Sequence, residues 1–308
     1  MKKYRKSYYM VVIIALTLVV SGCQNAEKPV KAEQKEKNEK KIEIKTPIYK
    51  EKNLAEYFQG INGCAVFYKT DSKEYELYNE ELCRKRSSPC STFKIISSCI
   101  GVEYGILKSI DDTMGYDGTV YNHPEWNDDI TLENAFRYSC VWYFRKVIDA
   151  AGKDNVQKTL DDLNYGNRDI SQWEGNGANQ IEALNGFWLE SSLLISPLEQ
   201  TEVMKNIFEG DVFSSGTKAV LEKIMWGEEG IYGKTGTGYD LQGRCIDGWF
   251  VGWFYSEERI YFAIRLEDTE AEDSTGNKAR EIAESIIKNE YNKKLAIYGY
   301  TANFYDHI

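Results

Sequence analysis

The sequence predicts a mixed α/β protein, and three observations carry that expectation. An apolar run at helical spacing begins beside Ser91 (Phe93, Ile95, Ile96, Cys99, Ile100, Val102). A second extends through Leu132, Ala135, Phe136, Val141, Trp142, Phe144 and Val147. Further on, residues 248–254 and 260–264 are continuous apolar and aromatic stretches of strand length. With 308 residues, 42% of them hydrophobic, the chain can bury a sizeable core, and one large domain is as natural as two.

Taken in order, the chain opens on a basic stretch (Lys2, Lys3, Arg5, Lys6), an apolar run over 9–20 and then Val20-Ser21-Gly22-Cys23. The run is short for a membrane span and fits an export signal over 1–22. The tract ending at Cys23 resembles a bacterial lipobox, which implies lipidation of Cys23 and attachment to the outer face of the cell membrane. Residues 23–52 are rich in Lys, Glu and Gln and read as a flexible tether spanning roughly 30 Å. Removing the four basic residues of the signal takes the net charge from −10 to −14, which disfavours nucleic acid as a partner. Of seven cysteines, six lie beyond Cys23 and show neither a C-x-x-C pair nor zinc spacing; Cys64, Cys99 and Cys140 read as core residues, while pairing of Cys83 with Cys90 stays open.

Two histidines narrow the chemistry. His307 is the penultimate residue and His123 precedes a proline in a polar loop, so a Ser-His-Asp triad and His-Glu-x-x-His zinc chemistry are both excluded. Gly233-Lys234-Thr235 echoes a phosphate loop, but Glu228 stands where that motif needs glycine. No metal or other resident cofactor is expected.

Ser91 and Lys94 are three residues apart, so both project from one face at the start of a buried helix. A serine hydroxyl needs a base beside it, and a lysine becomes one when a dry pocket lowers its pKa or when it is chemically modified. A helix N-terminus also offers free N–H groups to an oxyanion. Downstream stand Ser139-Cys140-Val141 within a helix-like pattern, the turn signal Tyr165-Gly166-Asn167, and Lys234-Thr235-Gly236 ahead of a glycine-rich turn.

These four ordered motifs resemble those of the penicillin-recognising serine enzymes. Ser91-Thr92-Phe93-Lys94 is similar to the Ser-x-x-Lys of the superfamily and Lys234-Thr235-Gly236 to its Lys-Thr-Gly strand, while Ser139-x-Val141 and Tyr165-Gly166-Asn167 have the form found in class D (oxacillinase-type) β-lactamases. The resemblance runs from about residue 63 to about residue 287. It implies a catalytic domain over 53–308 with a mainly antiparallel sheet flanked by helices, including strands at 63–69, 232–237, 247–254 and 260–267, and a helical lobe over about 91–213. The second motif is not Ser-Asp-Asn, and Ile181 stands where a class A enzyme would carry its glutamate before Asn185.

The resemblance also implies a mechanism. Lys94, near Val141, Trp188 and Phe93, would lose its proton by desolvation and add carbon dioxide; the resulting carbamate, held by the Trp188 indole, would serve as base in acylation and deacylation. Ser91 and Thr237 would supply the oxyanion N–H groups, Ser139 would pass a proton to the leaving nitrogen, and Val141, Lys234, Thr235, Gly236 and Arg280 would complete the substrate wall. Arg244 and Arg265 are rivals to Arg280 for the substrate carboxylate. The implied activity is hydrolysis of β-lactams. A sensor that acylates without turnover and a cell-wall transpeptidase are the alternatives. Drug spectrum, oligomeric state and any role for the tyrosine-rich end from 295 onward stay open.

Overall fold

In the computed structural model the chain divides into two units, residues 1–44 and 45–308, and the structure describes residues 47–240, 242–268 and 273–291 of the second. The expected signal, Cys23, most of the tether and the tyrosine-rich end lie outside the described residues.

Six strands form one sheet: β1 (Ile48–Glu51), β2 (Gly63–Lys69), β3 (Glu74–Tyr78), β4 (Ile231–Tyr239), β5 (Cys245–Tyr255) and β6 (Arg259–Leu266), in the order β1-β3-β2-β6-β5-β4. Every pairing is antiparallel except β1 with β3. The middle strands are buried on both faces, which explains their unbroken apolar sequences. Alternation sorts each strand between two cores. Cys64, Val66, Trp249, Val251, Trp253 and Ala263 face one side, while Ala65, Phe67, Phe250, Phe254, Phe262 and Ile264 face the other.

On the second side lie α1 (Ala55–Phe58) and the late helix α8, which spans Gly276–Ile286. The α8 residues Ala279, Ile282, Ala283 and Ile286 form the stripe it buries, and the Thr275 side chain caps it by accepting from the Lys278 N–H. The larger core on the first side is built by the segment between β3 and β4: α2 (Glu80–Arg84), α3 (Lys94–Glu103), α4 (Leu132–Arg137), α5 (Val141–Leu163), α6 (Pro197–Glu209) and α7 (Ser215–Met225). Helix α3 is its axis, buried from Lys94 through Gly101. Burying Ile95, Ile96 and Ile100 contributes roughly 1.5–3 kcal/mol each. Helix α6 starts with Pro197 behind a reciprocal Ser196–Glu199 capping box.

Three expectations are corrected. The stretch assigned to the tether up to residue 52 contains β1: its backbone pairs with β3 from Ile48↔Glu74 to Glu51↔Leu77, and Tyr49 stacks on Tyr75 at 5.0 Å. An exposed edge strand needs backbone partners rather than an apolar sequence, so charged composition did not prevent it. The helical segment runs past 213, because α7 folds back between α3, α4 and β4. Ser139 does not lie within a helix but in the break between α4 and α5, with φ +57°. The strands at 63–69, 232–237, 247–254 and 260–267 are present, the last three with ends shifted by one or two residues.

Candidate active site

Ser91 sits in a 3₁₀ turn, Cys90–Phe93, that feeds directly into α3. The turn is held from below: Thr92 Oγ1 donates to the Pro89 carbonyl at 2.6 Å and accepts from Gln200 Nε2 at 2.8 Å. Lys94, the first residue of α3, places Nζ 2.8 Å from Ser91 Oγ. It is fully buried, with the Phe144 ring 5.8 Å away. Desolvation lowers its pKa to about 8, opposed only by weak pulls from the Cys140 and Cys90 thiols, and no carboxylate contributes. A large share of this lysine is therefore neutral near pH 8, and a neutral amine at 2.8 Å can take the serine proton.

Trp188 packs beside this pair, stacked on Phe93 with ring centroids 5.4 Å apart. Its Nε1 is buried and has no hydrogen-bond partner among the described residues. Trp249 and Trp253 share that lack deeper in the core, so its place against the residue preceding Lys94 is what singles out Trp188. The Tyr165-Gly166-Asn167 turn holds its loop. Asn167 Nδ2 donates to the Ser192 carbonyl at 2.7 Å, and its Oδ1 accepts from the Leu194 N–H at 2.9 Å. Gly166 has φ +49°, and a Cβ there would stand 2.0 Å from the Leu194 carbonyl oxygen, so no larger residue fits the turn.

Ser139 is half-buried in the break between α4 and α5. Its left-handed backbone is costly for a residue with a Cβ, by about 1–3 kcal/mol. The cost is sustained by flanking bonds from Ser139 N to the Phe136 carbonyl (3.2 Å) and from Cys140 N to the Ala135 carbonyl (2.8 Å). Val141 follows as the first residue of α5, half-buried.

Lys234, Thr235, Gly236 and Thr237 lie on β4, which excludes the phosphate-loop reading, since that motif opens a helix. Gly236 lets β4 approach the serine turn: a Cβ there would meet Pro89 O and Thr92 N at 3.2 Å. The Lys234 ammonium donates to the Thr235 carbonyl at 3.1 Å and is held well below its usual pKa, by burial first and by Lys94 second. Thr237 Oγ1 accepts from the Gly276 N–H at 2.9 Å, which ties β4 to the start of α8. Arg280 on α8 lines one cavity with Lys234 and Thr235. It pairs with Glu284 at 2.6 Å, and its two rivals are also paired, Arg244 with Asp240 in the β4–β5 turn and the buried Arg265 with Asp247 at 2.6 Å; neither rival lines that cavity.

The serine turn thus meets the Lys234-Thr235-Gly236 strand through Gly236 and the Tyr165 turn through Phe93, whose ring centroid lies 5.8 Å from that of Tyr165. The sequence profile of the penicillin-binding-protein transpeptidase domain matches residues 44–288. The chain belongs to that family. A probable β-lactamase, YbxI of Bacillus subtilis, is 32% identical over 241 residues, covering 77% of this chain and 84% of its own length. Regulatory protein BlaR1 of Bacillus licheniformis is 33% identical over 232 residues, covering 73% of this chain, which thus spans 36% of BlaR1. The crystal structure of a class D β-lactamase from Bacillus subtilis superposes with a TM-score of 0.68 at 31% identity, covering 78% of this chain and 95% of that one. The fold is of the class D β-lactamase type.

Sequence reasoning missed one member of this transpeptidase-family site, Glu190. Its Oε1 accepts from the Cys90 thiol at 3.4 Å and from the Tyr239 N–H at 3.2 Å. Its own N–H donates to Ser88 Oγ at 2.9 Å, and that hydroxyl donates to the Trp188 carbonyl at 2.9 Å. One carboxylate thus ties together the serine turn, the Trp188 loop and the end of β4. The bonds span 100 and 49 residues of chain, and no local pattern announces them. Cys83 and Cys90 are free and buried; the Cys83 thiol donates instead to the Ala65 and Tyr78 carbonyls. His123 is exposed, its ring tilted against Trp126 with centroids 4.4 Å apart.

Proposed function

We propose that the protein hydrolyses β-lactams through an acyl-enzyme on Ser91. The observation that carries this reading is Lys94: fully buried, 2.8 Å from the serine oxygen, depressed toward neutrality and faced by no carboxylate. No other base stands at the nucleophile among the described residues, so Lys94 must act in both half-reactions. The pocket fits a carbamate on Lys94, because the orphaned Trp188 Nε1 is a buried donor that an added anion would satisfy. That group, when formed, supplies an anionic proton acceptor that a free amine cannot.

Ser91 attacks the lactam carbonyl as its proton leaves toward Lys94, and the N–H groups of Ser91 and Thr237 receive the oxyanion. Ser139 passes a proton to the departing ring nitrogen. Lys234, Thr235 and Arg280 hold the substrate carboxylate, while Val141 keeps one wall of the lysine pocket apolar. Burial lowers the pKa of Lys234 in the free protein, and a bound carboxylate restores its charge.

Export and attachment to the outer face of the membrane through Cys23 belong to the same proposal, supported by the Val20-Ser21-Gly22-Cys23 tract alone. The comparable identity to BlaR1 favours one second reading, a receptor that stays acylated. The deciding experiment mixes purified protein with a chromogenic cephalosporin and counts turnovers. Many turnovers per molecule support hydrolysis; a single burst supports the receptor. Intact mass after brief penicillin exposure should show one adduct, absent in Ser91→Ala, and an adduct mapping to another residue sinks the mechanism.

A further inference from the structure

A cavity of about 170 Å³ continues from Lys234 and Thr235 away from the serine turn. Phe136 and Arg137 of α4 line it, with Lys223 and Trp226 from the end of α7 and Arg280 from α8. Binding sites for whole drug-sized molecules run to about 300–1,000 Å³, so this space suits a substituent rather than a separate ligand. Four of its lining residues are basic (Arg137, Lys223, Lys234, Arg280) and one, Glu133, is an acid, on a chain whose net charge is −10. Arg280 is paired with Glu284 at 2.6 Å, but the basic groups from α7 and α4 are less well neutralised. Lys223 makes no ion pair among the described residues, and Arg137 reaches Glu133 only at 3.8 Å. Beside them the Trp226 indole is 63% exposed, a large apolar face left at the cavity wall. Phe136 supplies a second ring, with Lys234 Nζ 5.6 Å from its centre.

We propose that this cavity is a subsite for a second acidic group, on a flat ring, carried by the carbon next to the one that bears the lactam's carboxylate. The proposal rests on the reading of Lys234, Thr235 and Arg280 as the seat of that carboxylate. With the carboxylate there, a substituent on the adjacent ring carbon is directed along the same wall. Arg137 and Lys223 then meet its charge and Trp226 its face. The substrate class so favoured is dianionic cephalosporins with an acidic heteroaromatic substituent at that carbon. Cationic substituents meet like charge and are disfavoured.

The test uses cephalosporins that share one acyl side chain and differ only in that substituent: acidic heteroaromatic, neutral and cationic. Acylation rates are read by intact mass at fixed low ionic strength, so turnover is not required. Wild type should favour the acidic over the neutral compound about tenfold, and Arg137→Gln/Lys223→Gln should bring that ratio close to one. The readout is a ratio within each protein, so a general loss of rate does not confuse it. Trp226→Ala should lower the preference for a flat acid over an alkyl acid of equal charge about threefold. Adducts that form on Ser91 with no charge preference, or with one that survives the double substitution, overturn the subsite while leaving the acylation reading intact. Failure of every compound to form an adduct overturns the acylation reading and the subsite with it.

Discussion

Lys94 and Lys234 are both buried lysines of one cleft, both with pKa lowered first by desolvation, yet their surroundings prepare them for opposite tasks. Around Lys94 the neighbours are Ser91 Oγ, the Phe144 ring and two thiols, with Val141 and Trp188 close in the fold. Only the thiols and the ring favour a positive charge there, and burial outweighs them, so the amine tends to give it up. Lys234 donates to a backbone carbonyl and opens on a cavity shared with Arg280, Arg137 and Lys223. There the missing partner is an anion, and a substrate brings one. In the proposed mechanism the same side chain serves as a base where the protein withholds counter-charge and as an anchor where the ligand supplies it.

The comparison breaks most sharply under matched substitutions. Lys94→Met should cost about 10²–10⁴-fold in kcat by removing the base. Lys234→Met should leave kcat nearer wild type and cost about 10–100-fold in kcat/KM, as expected for a lost charge-assisted bond to substrate. If both variants lose kcat alike, the division of labour is wrong.

Stability separates the lysine pocket next. Lys94 binds its proton less tightly folded (pKa about 8) than unfolded (10.5). Below pH 8 both states are protonated and the folded state bears the full penalty; as pH rises from 8 to 10.5 the folded state sheds the proton first and the penalty fades. Lys94→Met should therefore be more stable than wild type at pH 7 by on the order of 3 kcal/mol in degassed buffer, with the gap closing toward pH 10. Urea titrations at the two pH values check this, and a gap that grows with pH would refute it.

The bicarbonate needed for half-maximal activity should rise about tenfold in Trp188→Phe, which keeps the stack on Phe93 and loses the N–H. It should also rise in wild type as pH falls below 8, because less of the lysine is neutral. Indifference to bicarbonate after thorough degassing would remove Trp188 from this role.

The smallest expected effect concerns Glu190. Glu190→Ala should lower kcat about tenfold by loosening three segments at once, and Glu190→Gln should stay within about threefold of wild type, since an amide oxygen still accepts from Cys90 and Tyr239. Equal losses in the two variants would mean that the charge, and not the tie, matters.

Much of this site was legible because its parts are local. Ser91 and Lys94 are one turn apart, and Lys234-Thr235-Gly236 stands before the unbroken apolar run of β5, which only a strand buried on both faces requires. Strand β3 was overlooked although Tyr75 and Leu77 alternate inward, and β1 was unreadable because an exposed edge strand leaves no hydrophobic mark. Ser139 was read into a helix since the apolar spacing continues on both sides of it; only the break at φ +57° separates α4 from α5.

By itself the sequence determined that Ser91 and Lys94 start one buried helical segment and that Lys234-Thr235-Gly236 lies on a strand, because each of these depends on residue type and short spacing. The tertiary structure decided that Arg280 lines a cavity with Lys234 and Thr235, that Asn167 and Glu190 hold the Trp188 loop, and that Arg137, Lys223 and Trp226 share that cavity. Those outcomes depend on contacts between residues far apart in the chain, whose partners are chosen by how the helices close over the sheet rather than by any pattern along it.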